Sequence, residues 1–443
     1  MRVRVEPPIR DWPVPTADRP IWTGHQVTLF HPGIAAKYLA AETVSRAAGV
    51  QYRHVVVDQD VYDPLTVTLP RRQGDRLTAG RHVLAQTMPD VPVGMHPALD
   101  PAEIAAGIAA LPRDAVIDRD QLRHAFAPGT PAPGTLAQQM HAALGRLLPA
   151  AATDEPPVYA SQLLYGDDHV GVVARLIGDA RACARHYNEA VQAFPEAGMS
   201  PLSVRPDRVE VPLWALTWGG PRRRVYVDLG GTKPSFMAGD GGPLADHTYY
   251  APRALLMTAL LRRPDRCGLF VHGTGGGNYD RVTERWWAAW AGETLAPRAV
   301  VTADLYLDFD DLPVNGPDEL ARAKWYAHHL PHNVDRALGL PADDPDVRAK
   351  RELLAHMDDD RDAGRRRSAF AALHRINDGL ATRHAEAVAE AGRAVDRAEA
   401  GVSNAAAAGR RDWPLACYPP QALDALASQV ACSGPAVLSE SAE

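Results

Sequence analysis

The sequence predicts an α/β fold, a mostly parallel, doubly wound sheet followed by an α-helical region. Three observations support this. Short apolar runs alternate with helical patterns from residue 21 to about residue 310, which is typical of parallel sheets. The segment HVVVDQD, residues 54–60, is a continuous β-branched run, as expected of a strand buried on both faces. Beyond residue 316 charged helical patterns replace the alternation,.

The chain length indicates two domains. A single hydrophobic core stops growing near about 250–300 residues, and this chain has 443. We expect a Rossmann-like α/β core with an inserted β-hairpin region over residues 1–312 and an α-helical, coiled-coil-like domain over residues 313–443.

Composition narrows the classes of partner. A net charge of −7 does not indicate a broad basic surface for nucleic acid or anionic membranes. The four cysteines are far apart and form no C-x-x-C pair, and there is no run of 18 apolar residues,. We therefore expect a cytoplasmic protein that acts on small molecules, with neither nucleic acid nor membrane as a partner.

The elements follow in order along the chain. A short strand from Ile21 precedes a helix from about Gly33 to Ala48, and HVVV forms the next strand,. PVYASQLLYG is predicted as a strand that runs into a helix. RVEVPLWALTW and RRRVYVDLG are predicted as an antiparallel hairpin pair, CGLFVHGTGGG as a strand with a glycine loop before a helix, and AVVTADLYLDF as the closing strand,.

An apolar stripe marks the C-terminal region. From Phe370 to Ala398 apolar residues recur at three- and four-residue spacing, which predicts one long helix. Packing within its own domain is favoured, and a homodimer seam is the alternative. The tail beyond Cys432 is expected to fray.

The first polar cluster surrounds the start of the first predicted helix. Free N–H groups and the positive end of the helix dipole attract phosphate or carboxylate there. The alternative is that the histidines only cap the helix. The cluster consists of Gly24, His25, Gln26, His31, Gly33 and Lys37.

A second cluster, Asp58 and Asp60, lies at the carboxyl end of the strand HVVV. Ligands of open α/β sheets gather at this edge, and a D-x-D pair there can hold Mg²⁺ or a substrate amine. Aspartates also simply end strands and form turns.

A third cluster is the segment HGTGGGNYD between a predicted strand and helix. It matches G-x-G-x-x-G only in part, so a standard NAD fingerprint is not expected. A glycine loop that lets the backbone approach a ligand is favoured over a simple turn. The candidate residues are His272, Gly273, Gly275, Gly276, Gly277 and Asp280.

Two further motifs have simpler interpretations. Asp167 and Asp168, with His169, stand at a strand-to-helix junction, where helix capping is the favoured role. The run Arg222-Arg223-Arg224 is predicted to be a solvated face.

The stretch TGHQVTLFHPGIAAK, followed by a strand with an acidic end, resembles the opening of the bacillithiol biosynthesis cysteine-adding enzymes. PRALLMTALL before LFVHGTGGGNYD resembles the approach to their second glycine loop. The likeness is closer to uncharacterised bacterial relatives of that family, which carry similar GHQ, HPG, EVPLW and HG-GG-YD signatures. The resemblance implies a class I nucleotidyltransferase type core and a coiled-coil domain at residues 316–408. It also implies nucleotide phosphate contacts from Gly24, His25 and Gln26, with His25 in the place of a family glutamine.

The sequence and the resemblance together favour an ATP-binding, ligase-like enzyme. It would join an activated amino acid, such as cysteine, to an amine of a small thiol precursor, with ATP or another adenine nucleotide and Mg²⁺ as cofactors. In this hypothesis His25, Gln26 and Lys37 steady phosphates, and Asp58 and Asp60 hold the metal or the amine. The alternatives are a metal-dependent nucleotide-sugar glycosyltransferase and a non-catalytic, dimeric nucleotide-binding scaffold.

Overall fold

The computed structural model describes residues 1–130, 132–151, 155–165, 170–231, 233–239, 244, 246–359 and 361–433. The chain divides into two compact units. The first comprises Met1–Leu69, Gly80–Leu307 and Arg411–Glu443, and the second Pro70–Ala79 and Asp308–Arg410. Residues from Arg411 onward were predicted with the helical domain, but they group with the first unit, where the last helix packs against the first.

The described residues form strands in three sheets. In chain order these are β1 (Arg2–Glu6), β2 (Ile21–His25), β3 (Arg53–Val56), β4 (Thr66–Gln73), β5 (Arg76–Val83), β6 (Val158–Tyr159), β7 (Arg208–Leu216), β8 (Arg223–Asp228), β9 (Ser235–Ala238), β10 (Tyr249–Pro252), β11 (Leu269–His272) and β12 (Arg298–Asp304).

The helices of the described residues follow the same numbering. They are α1 (Pro32–Ala47), α2 (Pro101–Ala109), α3 (Arg119–Ala125), α4 (Leu136–Leu147), α5 (Val170–Gly178), α6 (Ala180–Ala193), α7 (Ala254–Leu261), α8 (Thr274–Ala291), α9 (Pro317–His329), α10 (Val334–Ala337), α11 (Pro345–Asp359), α12 (Ala363–Arg383), α13 (Ala385–Ala408) and α14 (Pro420–Cys432).

The largest sheet has six strands in the order β1-β12-β11-β2-β3-β6. Only β1 is antiparallel to its neighbour, and the other pairs are parallel. Counted along the chain, the five parallel strands lie in the order 3-2-1-4-5, which is the order of doubly wound dinucleotide-binding folds. The predicted α/β architecture with a mostly parallel sheet is confirmed.

Two crossovers leave the middle of this sheet in opposite directions. Helix α1 leads from β2 to its neighbour β3, and α8 leads from β11 to its neighbour β12. Right-handed crossovers in opposite directions place these helices on opposite faces of the sheet. Their packing partners differ accordingly, since α1 packs against α14 and α8 packs against α6 and α7.

An antiparallel sheet of order β10-β7-β8-β9 adjoins the parallel sheet within the first unit. The predicted hairpin pair is confirmed as β7 and β8. The inner faces of β7 and β8 share a core with α6 and α8, in which Tyr187 and Trp286 pack edge to face with ring centroids 5.3 Å apart. This core fixes the position of α8 against the sheet.

The second unit is mostly helical, as the sequence predicts, with α9 packed against α13 and α11 against α12. The apolar stripe does not lie on one long helix. Helix α12 ends at Arg383 and α13 begins at Ala385, because His384 between them has non-helical backbone angles (φ −112°, ψ 35°).

The structure differs from two further predictions. The strand predicted in PVYASQLLYG is only Val158–Tyr159, and a 3₁₀ turn, Ala160–Tyr165, follows it. The predicted glycine loop after β11 is absent, since α8 begins at Thr274 directly after β11. The capping role predicted for Asp167 or Asp168, the neighbouring His169, and the tail from residue 434 lie outside the described residues.

Candidate functional site

A cavity of about 420 Å³ opens where the two crossovers diverge. Strand β2 ends there at His25 and the neighbouring β11 ends at His272. Doubly wound sheets bind ligands at this switch point, outside the carboxyl ends of the strands, and the volume is that of a small-molecule site. Most of the predicted site residues line it, namely Gly24, His25, Gln26, His31, Gly33, Lys37, Asp60, His272, Gly273, Gly275 and Gly276.

A second cavity, of about 320 Å³, lies between the loop after α3 and helix α4. Its wall is made largely of alanine and proline, and its arginine, Arg146, donates to the carbonyl oxygens of Ala125 and Ala127. Since none of the predicted site residues lines this cavity, the switch-point cavity is the candidate site.

The start of α8 is open toward the switch-point cavity. Gly273 is the N-cap residue, and a glycine has no side chain to accept the first N–H groups. Among the described residues, the first backbone bond at this end is from Gly277 N to Gly273 O, so the N–H groups of Thr274, Gly275 and Gly276 are available to a ligand. Helix starts of this kind bind phosphates and carboxylates.

The backbone N–H groups at the start of α1, by contrast, already have hydrogen-bond acceptors. Pro32 has no N–H, and Gly33 N donates to the His31 Nδ1 atom at 3.1 Å. Ile34 N and Ala35 N both donate to His31 O. The prediction of free N–H groups at α1 is therefore wrong, because the His-Pro-Gly turn caps its own helix.

Lys37 brings the principal cationic group to the cavity wall. Its side chain is buried, and Nζ donates to the carbonyl oxygen of Gly24 on β2. No ion pair involves Lys37 among the described residues, and burial lowers the pKa of Lys37 to about 7. The ammonium is thus held without a counter-ion, so an anion in the cavity would stabilise its charged form.

His25 and His31 have opposite tautomers. The Nδ1 atom of His25 lies 3.0 Å from the carbonyl oxygen of Gln26, which can only accept, so Nδ1 carries the proton and Nε2 the lone pair,. In His31 the Nδ1 atom accepts from Gly33, so Nε2 carries the proton. Burial, reinforced by Lys37, lowers the pKa of His25 to about 3, and burial lowers the pKa of His31 as well. Both rings are neutral near pH 7, one an acceptor and the other a donor.

His272 closes the wall between α8 and β11. Its Nε2 atom lies 2.9 Å from Oδ2 of the fully buried Asp280, which also pairs with Arg262 at 3.1 Å. Burial lowers the pKa of His272, although Asp280 opposes this shift. Asp280 was predicted as a ligand-binding residue, but it does not line the cavity and acts through His272 and Arg262.

Asp58 was also predicted to contact ligand, and the structure gives it another role. Its two carboxylate oxygens accept from Ser161 N at 2.7 Å and Ser161 Oγ at 2.6 Å, and Asp58 does not line the cavity. Burial, opposed by these hydrogen bonds, raises the pKa of Asp58 to about 6. Asp58 therefore anchors the 3₁₀ turn that follows β6.

Asp60 does line the cavity, but its carboxylate is engaged. Gln26 Nε2 donates to it at 3.0 Å, and Arg222 pairs with it while stacking on the Trp214 ring at 4.2 Å. Arg222 thus holds the Asp60 carboxylate from behind the cavity wall, and it does not belong to the predicted solvated face. Because Asp58 and Asp60 serve separate partners, and no group of three or more metal-ligating side chains is found within the described ranges, the geometry does not support the predicted metal pair.

Three of the glycines allow neighbouring segments to pack too closely for a side chain. A Cβ atom on Gly24 would overlap Val55, one on Gly276 would overlap the His272 ring, and one on Gly277 would overlap Val300. Gly277 was predicted to bind ligand, but it does not line the cavity and brings α8 close to β12. Gly273 and Gly275 have open space in front of them.

Several residues that line the cavity were not predicted from the sequence. Arg411, paired with Asp304, comes from the segment after α13, and Met257 and Thr258 come from α7. No local pattern connects these segments with the site. Gln59 also lines the cavity, and it could have been predicted, because it lies between Asp58 and Asp60 at the carboxyl end of a parallel strand,.

Comparison of the chain with protein-family models and with curated proteins finds no match. Among the described helices none is both long and apolar enough to cross a membrane. A function for the site is therefore inferred from its geometry together with the resemblance at its motifs.

Proposed function

We propose that this protein is an ATP-binding, ligase-like enzyme that activates the carboxylate of an amino acid and joins it to an amine. The observation that carries the nucleotide-binding part is the open start of α8 at the switch point of the sheet. The amino acid, cysteine, and the acceptor, an amine of a small thiol precursor, come from the resemblance at the GHQ, HPG and HG-GG-YD motifs.

Electrostatics favour a phosphate-bearing ligand. The start of α8 contributes three N–H groups and the positive end of the helix, equivalent to about half an elementary charge. Lys37 and Arg411 add basic side chains to the same wall, Arg411 being paired with Asp304, and the carboxylate of Asp60 is held by Arg222 and Gln26. The groups of this wall therefore favour a bound anion, although the whole chain is acidic, with a net charge of −7.

The strand order supports the class of core that the resemblance implies. An order of 3-2-1-4-5 with the cavity between strands 1 and 4 is compatible with a class I nucleotidyltransferase type core,. In this proposal the predicted role of the first motif is revised. Backbone N–H groups of α8 bind the phosphates, and the residues around α1 supply Lys37 and the two histidines.

Each polar group then has a role in binding or in proton movement. Lys37 Nζ stabilises negative charge on the phosphates, which is the main protein contribution to nucleotidyl or phosphoryl transfer. His31 donates through Nε2, and His25 offers the Nε2 lone pair to the proton of an incoming amine. Because an anion favours the charged form of Lys37, whose pKa is about 7, ligand binding is accompanied by proton uptake at Lys37,. Bound ATP supplies the group that activates the carboxylate.

The glycosyltransferase alternative depends on both carboxylates of the D-x-D pair, and Asp58 does not line the cavity. No observation in the structure favours it over the ligase proposal. A scaffold without catalysis differs from the proposal only in turnover, so the decisive experiment measures turnover as well as binding.

The test compares three proteins, the wild type, His25→Ala and His25→Gln. ATP binding is measured by the shift in melting temperature, and ATP-dependent joining of cysteine to an aminosugar is measured by mass spectrometry. We expect His25→Ala to remain folded and lose turnover, and His25→Gln, which restores the residue type of the family, to keep part of it. An active His25→Ala protein would contradict the role of His25, and wild-type protein without a melting shift from ATP would contradict the proposed function.

A further inference from the structure

The proposal above assigns no role to His272, although this residue lines the cavity at the end of β11, next to the open start of α8. Its side chain is 6% exposed and contacts Asp280 behind it. A polar ring enclosed to this degree, beside free N–H groups, can add a side-chain contact to whatever the helix start binds.

One ring nitrogen, Nε2, is turned away from the cavity. It is fully enclosed and lies 2.9 Å from Oδ2 of Asp280, a residue that does not line the cavity. Arg262 pairs with the same oxygen at 3.1 Å, so Asp280 is a carboxylate, which can only accept. A nitrogen lone pair this close to a carboxylate oxygen would be repelled. Nε2 therefore carries the proton, and the lone pair of the neutral ring lies on Nδ1.

The other nitrogen, Nδ1, lies beside the first turn of α8. A Cβ atom built on Gly276 would lie 2.3 Å from it. Cβ positions on a helix tilt toward its N-terminus, so Nδ1 stands on the side of the open end. Gly276 itself lines the cavity and has no side chain to cover Nδ1, which has no hydrogen-bond partner among the described residues. An anion bound to the free N–H groups therefore has Nδ1 as a neighbour.

The charges around the ring determine its protonation. Asp280 and Tyr279 face it from α8, Arg262 from the end of α7, and Lys37 from α1. Burial lowers the pKa of His272; Asp280 opposes this shift, and the two basic side chains reinforce it. The free protein thus holds a neutral ring. An anion next to Nδ1 reverses the balance, because it stabilises one end of the imidazolium while Asp280 stabilises the other.

We propose that His272 is a phosphate ligand. Its Nδ1 atom takes up a proton from solvent when the anion binds at the start of α8, and it then donates a hydrogen bond to a phosphate oxygen. Asp280 acts as a positioning residue that holds the opposite nitrogen. This inference rests on the proposed nucleotide-binding function, and the proton uptake is additional to that at Lys37.

The first experiment observes the ring directly. In protein with isotope-labelled histidine, long-range nitrogen–proton correlation spectra record the protonation of each ring nitrogen near neutral pH, without ATP and with saturating ATP. The His272 signals are assigned by their loss in either of the two variants described below. We expect Nε2 to be protonated in both states and Nδ1 only with ATP. His54, which is buried and does not line the cavity, is the internal control and should not change.

The second experiment compares two variants with the same functional group. Asparagine in place of His272 puts its amide where Nδ1 stands, and glutamine puts it where Nε2 stands, beside Asp280. We expect His272→Gln to bind ATP at least about tenfold more weakly than the wild type, since a hydrogen bond between charged groups is lost. His272→Asn keeps a donor at Nδ1 and should stay within about threefold of the wild type. Calorimetry gives the dissociation constants, and melting temperatures without ligand confirm that both variants fold.

The outcomes are distinct. An Nδ1 atom that stays unprotonated with ATP bound, or a His272→Gln protein that binds ATP as tightly as the wild type, would overturn this inference and leave the proposed nucleotide site standing. Equal weakening in the two folded variants would show that the ring acts only by packing, and would overturn it as well. Absence of ATP binding by the wild type would overturn the proposed function and this inference together.

Discussion

At the scale of single residues, burial at the cavity disfavours the charged forms of the basic side chains that line it. Lys37, His25 and His272 all have lowered pKa values, and burial is the largest cause in each case. These shifts destabilise the folded protein wherever the unfolded chain binds more protons. Perturbed pKa values of this kind cluster at binding and catalytic sites.

Lys37 gives the clearest test of how a lowered pKa reduces the stability of the folded protein. Its pKa is about 7 in the folded protein against an ordinary value of 10.5, so the unfolded chain holds the proton more tightly. Folded wild-type protein should therefore gain stability as the pH rises from 7 toward 10.5, by about 2 kcal/mol between pH 7 and pH 9. Urea unfolding at both pH values should show this gain, and Lys37→Met should lack it. Equal pH dependence in the two proteins would show that Lys37 keeps an ordinary pKa.

At the scale of elements, two strand-to-helix junctions that look alike in sequence behave differently. His31-Pro32-Gly33 closes the start of α1 upon itself, whereas Gly273 leaves the start of α8 open. The difference is chemical, because a histidine at the N-cap can accept an N–H bond and a glycine cannot. The first turn thus positions Lys37 on a capped helix, and the second leaves a helix start whose free N–H groups can bind an anion.

The glycines of these junctions can be separated by substitution. Gly24→Ala should lower the free energy of unfolding by about 1–3 kcal/mol, because the new methyl group overlaps the side chain and carbonyl oxygen of Val55,. Gly275→Ala meets open space in the first turn of α8 and should be neutral or stabilising by up to about 1 kcal/mol,. Urea denaturation of the two variants measures the contrast. Equal stabilities would contradict the close packing of β2 against β3.

At the scale of the whole molecule, local patterns predicted the fold better than the site. The β-branched run of β3, the helix after His-Pro-Gly and the strand before the glycines were all predicted, because each depends on a short stretch of sequence. The edge of the sheet where polar residues gather followed from the parallel order of these strands.

What the sequence did not predict depends on contacts between distant segments. The pairing of Arg222 with Asp60 joins residues 162 positions apart, and Arg411 reaches the cavity from beyond the second unit in the chain. Asp58 and Asp60 look equivalent in sequence, but only Asp60 lines the cavity, since Ser161 occupies both oxygens of Asp58. Such choices are made by tertiary structure and leave no periodicity to read.

The central claim is that the open start of α8 binds the phosphates of a nucleotide. Gly273→Asp tests it most directly, because the backbone there (φ −83°, ψ 178°) suits a capping residue and a Cβ atom meets nothing within 4 Å. The aspartate should accept the free N–H groups, place a negative charge at the site and stabilise α8 by about 0.5 kcal/mol. Gly273→Ala, which fills the same space without an acceptor, is the matched control.

The measurement is the dissociation constant of ATP for the three proteins, with the melting temperature of each recorded without ligand. We expect wild type and Gly273→Ala to bind ATP similarly, and Gly273→Asp to bind at least about tenfold more weakly while melting no lower than the control. Undiminished ATP binding by a folded Gly273→Asp protein would contradict the account.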